Sequence, residues 1–200
     1  MIDVLINFKN TILNPFENKT EDTRVSYFQM MGLCWLFHLI YAFYSILAVF
    51  IGVKTYQYAA ETDNISKMIY SNFNLSLQKF SIIMGLSEAI IYPLVFIFSY
   101  KFWMFLLNFY GQIFNIENEQ EAQTVDILNA IYSSNAFLIL PIGGKVLSFF
   151  AQGFYLYRGL MKKMGFSNLQ AFLVLLTPLF IGFLFFVLMV SYFIFIISLI

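Results

Sequence analysis

Charge is scarce in this chain. Of 200 residues only 11% are charged, and 11 basic against 11 acidic side chains leave a formal net charge of zero. Soluble domains carry about 25% charged residues, and so balanced a chain offers no field to attract nucleic acid. Cysteine occurs once, as Cys34, which excludes an internal disulfide. Histidine also occurs once, as His38, so no metal-ligand cluster is expected. Missing too are a Gly-rich phosphate loop, a GxSxG elbow, a His-Glu zinc motif and paired intramembrane aspartates. The expectation is a protein that is not an enzyme and holds no cofactor or metal.

What is abundant is apolar surface. Hydrophobic residues make up 60% of the chain and aromatic ones 20%, including 26 Phe and 13 Tyr. Such a chain reads as an integral membrane protein.

Runs without Asp, Glu, Lys or Arg locate the spans, because a ~30 Å hydrocarbon core needs about 20 helical residues. The first is 27–53, between Arg24 and Lys54. A polar loop follows to Lys79, with a short helix expected around 66–73. The second span, 80–102, contains Glu88 and ends at Lys101, which snorkels, beside the interfacial Trp103. An acidic connector, 111–126, carries Glu117, Glu119, Glu121 and Asp126 and reads as a solvated face. Residues 127–161 are too long for one crossing and are broken at Pro141, Gly143 and Gly144. Pro lacks an amide hydrogen and paired Gly is loose, so this segment reads as a hairpin of two spans, 127–140 and 146–161. A turn at Gly165-Phe166-Ser167 leads to the fifth span, 168–197, with Ser167 as its cap and Pro178 and Gly182 allowing a bend.

Before the spans, Ile2, Leu5, Phe8, Ile12 and Phe16 recur at helical intervals among polar residues. Residues 1–24 therefore read as an amphipathic segment lying in the membrane surface, without the basic start and unbroken apolar stretch of a signal peptide. Residues 25–200 form one membrane domain with neither internal repeat nor linker. The expected fold is all-α: a polytopic membrane helical bundle of five transmembrane helices.

Orientation follows from the cations. With the N-terminus inside, Lys9, Lys19, Arg24, Lys101, Arg158, Lys162 and Lys163 lie on the cytoplasmic side. Lys54, Lys67, Lys79 and Lys145 lie across the membrane. A single crossing over 127–161 would move Arg158, Lys162 and Lys163 outside and reverse the bias.

Four polar residues stand out. Glu88 is costly within a span and needs a partner or water; Lys145 on the hairpin turn and His38 in the first span are both within reach. One reading is a proton or cation site, the other a pair that locks helices together. His38 reads as a hydrogen-bonded core residue, with Cys34 one turn away as a buried thiol. Asn135, in the run Tyr132-Ser133-Ser134-Asn135, either glues helices together or lines a polar cavity.

The order of features resembles the Yip family, the Ypt/Rab-interacting membrane proteins, in its compact bacterial form. The likeness is carried by Leu13-Asn14-Pro15-Phe16, Ala130-Ile131-Tyr132, Leu140-Pro141-Ile142-Gly143-Gly144, Tyr157-Arg158-Gly159-Leu160 and Lys163-Met164-Gly165-Phe166-Ser167. It implies five helices, a cytoplasmic N-terminus, residence in a bacterial inner membrane and a role as adaptor or organiser. The Asp-Leu-Tyr-Gly-Pro-like element of the eukaryotic members is absent, so their GTPase partner does not carry over. Expected partners are the bilayer and other membrane proteins or further copies of the chain. The competing reading is a transporter or channel component built on Glu88, Lys145 and His38.

Overall fold

The computed structural model describes residues 2–17, 23–60, 64–114 and 120–198, with the backbone alone for 56–57, 59–60, 64–78 and 198. Lys19, Glu61, Asp63, Glu117 and Glu119 lie outside the described residues, and Lys67 is described by its backbone only. Among the described residues all regular structure is helical: α1 (Ile2–Leu13), α2 (Tyr27–Ala60), α3 (Asn64–Ile113), α4 (Gln120–Ser133), a 3-10 helix (Ser134–Ile139), α5 (Gly144–Lys163) and α6 (Asn168–Ser198). Among the described residues three stretches are long and apolar enough to cross a membrane: Tyr27–Thr55, Lys79–Ile113 and Asn168–Ile197. The chain is an integral membrane protein by that measure.

Several boundaries depart from the sequence reading. Between Lys54 and Lys79 only residues 61–63 separate two long helices, because that stretch contains neither Gly nor Pro. Its polarity marks where apolar sequence ends, not where the helix ends. In the segment after the acidic connector, α4 starts earlier than expected and yields to the 3-10 helix at Ser134. Ser133 and Ser134 donate to the carbonyls of Ala130 and Ile131 at 2.7 and 2.6 Å. Such hydroxyl contacts compete with the helical ladder.

Aromatic contacts set the packing. Tyr27 of α2 meets Tyr100 edge-on at 4.8 Å, while Gly85 faces Ile46, so α2 and α3 are antiparallel. α4 runs beside them, with Tyr132 Oη donating to Ser99 Oγ at 2.8 Å. α5 then returns against α4, and Gly159 permits the approach: a Cβ there would lie 3.0 Å from Ile127 Cγ1. The turn before α5 depends on glycine twice. Gly143 has φ +76°, which few residues but Gly tolerate. A Cβ on Gly144 would lie 2.5 Å from the carbonyl oxygen of Phe137.

The starts of α2 and α6 use the same device. Ser26 and Gln29, and again Ser167 and Gln170, exchange side-chain and backbone hydrogen bonds as capping boxes. The core centres on Met30, Phe96, Leu107, Leu128, Leu138 and Leu160. α1 joins it through Phe8, stacked on Phe37 at 5.5 Å, while Ile2, Leu5, Ile6 and Leu13 stay exposed.

Candidate functional site

Lys145 begins α5, where the positive end of the helix dipole disfavours a cation. Glu88 of α3 answers it: Lys145 Nζ donates to Glu88 Oε1 at 2.8 Å. The ammonium also lies 5.5 Å from the centre of the Tyr41 ring on α2. The pair thus ties the hairpin turn to both long helices. Its side chains remain 58% and 41% exposed for Lys145 and Glu88.

His38 does not join Glu88 in a hydrogen bond. Its ring stacks on Tyr92 at 3.6 Å, and its Nδ1 lies 3.0 Å from the Cys34 carbonyl. A carbonyl only accepts, so Nδ1 carries the hydrogen. Cys34 itself is fully buried, its thiol donating to the Tyr132 carbonyl at 3.4 Å. That geometry leaves no activated thiol–imidazole pair.

Tyr92 leads from His38 to Asn135. Asn135 Nδ2 donates to Tyr92 Oη at 3.1 Å, while Asn135 Oδ1 accepts from Ser148 at 3.4 Å and Gln152 at 3.3 Å. Four elements therefore meet through buried and half-buried polar groups: α2, α3, the 3-10 helix and α5. Pro141, Gly143 and Gly144 shape the turn above this network and supply no functional side chain.

A second charged cluster escaped the sequence reading. Asp126, expected on a solvated connector, is 4% exposed and belongs to α4. Arg24 donates to one carboxylate oxygen at 2.8 Å and Lys163 to the other at 3.2 Å. Lys163 also donates to the carbonyl of Glu17 at 2.7 Å. The only signal available was position, since Asp126 directly precedes the apolar run Ile127-Leu128.

A groove of about 620 Å³ lies elsewhere, between α5 and α6, with Trp103 of α3 and Ile131 of α4 in its wall. Phe149, Phe154 and Leu179 are among its other walls, and Glu88 and Lys145 are not part of it. Among the described residues no group of three His, Cys, Asp or Glu side chains is placed to hold a metal ion. Compared with known proteins, the chain matches no family model, no curated protein and no solved structure.

Proposed function

We propose that this chain is a membrane adaptor or organiser of the Yip type, binding other membrane proteins or shaping the bilayer. In this reading it is an inner-membrane protein of a bacterium with a cytoplasmic N-terminus. α2, α3 and α6 cross fully, the α4–α5 hairpin supplies the third and fourth crossings, and α1 lies in the interface. α5 rises about 30 Å, close to one hydrocarbon thickness, while the uncharged part of α4 with its 3-10 extension, residues 127–139, rises about 22 Å and forms the shorter arm. Along α5, Lys145 and Lys163 stand about 27 Å apart, so its two charged clusters fall towards opposite faces.

One observation carries the adaptor reading. From Leu179 to Ile194 every residue of α6 is exposed, around the whole circumference of the helix. Meanwhile the polar groups a transporter would offer to an ion are engaged: Glu88 with Lys145, and Asn135 with Tyr92, Ser148 and Gln152. A span without a helical neighbour in its own chain has surface available for another membrane protein.

Photo-crosslinking tests it. A benzophenone amino acid replacing Phe186, which is 60% exposed, should yield a discrete protein adduct in native membranes. Lipid adducts alone would overturn the binding of other membrane proteins through α6. The transporter alternative predicts ion flux in liposomes that disappears in Glu88→Gln.

A further inference from the structure

We propose that the α5–α6 groove binds one acyl chain of an anionic phospholipid, whose phosphate is received by Arg158. The inference rests on the topology proposed above, with α5 crossing the bilayer, and not on the adaptor reading.

The groove, at about 620 Å³, is within the size range of small-ligand sites, roughly 300–1,000 Å³. Its wall is apolar almost throughout. The one amide in it, Gln152, already donates to Asn135 and Ser148 on its far side. The Tyr157 hydroxyl donates across to Asn168 of α6 at 3.4 Å, joining the two helices at that end. Such a space holds hydrocarbon better than water. For a membrane-embedded chain the surrounding supply of hydrocarbon is lipid.

Arg158 supplies the headgroup chemistry. Its guanidinium lies 5.8 Å from the ring centre of Phe154, a groove wall one helical turn away. Its two basic neighbours are already engaged: Lys163 with Asp126, and Lys162 over the Phe16 ring at 5.5 Å. Arg158 is exposed and pairs with no described carboxylate. A planar guanidinium at the lip of an apolar groove is suited to a phosphate with a chain attached.

Trp103 makes the site observable, because it lines the groove and only one other Trp, Trp35, is present. The full-length protein is reconstituted in phosphatidylcholine vesicles containing an increasing small fraction of brominated lipid, either phosphatidylglycerol or phosphatidylcholine. Quenching in wild type minus that in Trp103→Phe gives the signal from the groove. A basic residue at the membrane surface favours anionic lipid by a factor of about five. The expected result is half-quenching at about fivefold less brominated phosphatidylglycerol than phosphatidylcholine. Arg158→Gln should erase that preference and Arg158→Lys keep part of it. A Cβ on Gly153 meets nothing within 4 Å, so Gly153→Phe should fill the groove and abolish the Trp103 signal. Equal quenching by both lipids overturns the proposal, as does a signal that survives Gly153→Phe. Absence of quenching by either lipid also overturns it, pointing to a second copy or another protein over the groove.

Discussion

The indole Nε1 of Trp35 donates to the carbonyl oxygen of Ala89 at 2.8 Å. Ala89 stands four residues before Pro93, inside α3. A proline has no amide hydrogen, so the carbonyl one turn earlier loses its helical donor. Trp35 restores a donor from the neighbouring helix, and an irregularity of α3 thereby fixes where α2 must sit. Trp35→Phe should cost about 1–3 kcal/mol, the penalty for an unsatisfied buried carbonyl. In Pro93→Ala, where the backbone can serve Ala89 itself, the same substitution should cost much less. Thermal unfolding of the four-member cycle in detergent measures the difference, and strict additivity would refute this link.

The Glu88–Lys145 pair should behave as a unit. Removing the carboxylate alone strands the ammonium at the positive end of α5, and for so exposed a pair the cost should be at most about 1 kcal/mol. Glu88→Gln should lower the melting temperature, and adding Lys145→Met should recover most of the loss. The exchanged pair, Glu88→Lys with Lys145→Glu, should lie between wild type and Glu88→Gln.

Asp126 should be the most sensitive single carboxylate. Asp126→Asn removes the charge that Arg24 and Lys163 share, and breaking a buried pair costs about 3–5 kcal/mol. The N-terminal segment should then be cut by added protease sooner than in wild type. Glu121→Gln, a change at a neighbouring but exposed carboxylate, should leave the digestion rate unchanged.

The hairpin turn distinguishes its two glycines. Gly143→Asn should be mild, since Asn tolerates positive φ better than most residues. Gly144→Ala should be markedly destabilising, because its methyl would meet the Phe137 backbone oxygen. Comparing expression and melting of the two variants checks the order.

Much of the helical framework is legible in the sequence, for reasons that differ between elements. Long apolar runs reveal α2, α3 and α6 because lipid demands apolar side chains wherever it touches the helix. Pro141-Ile142-Gly143-Gly144 reveals the turn before α5 through backbone chemistry alone. Helix ends are harder, as the continuation of α2 past Lys54 shows, since polarity reports environment and not backbone conformation. The Asp126 cluster was illegible for another reason. Its members, Arg24, Asp126 and Lys163, are about 140 residues apart at the widest, and only the packing of α4 against both α5 and the start of α2 unites them. For Glu88, the sequence limited the partners to His38 and Lys145; the register of the hairpin against α3 chose Lys145.

The bond from Lys163 to the Glu17 carbonyl has a bearing on biosynthesis. Residues 2–17 are translated ahead of α2, yet one of their fastenings is made by a side chain translated nearly 150 residues later. Before α5 is threaded into place, that stretch can rest on α2 through Phe8 and Phe37 but has no partner for the Glu17 carbonyl in Lys163. Assembly therefore fastens this segment in two stages, the second only after α5 has been made.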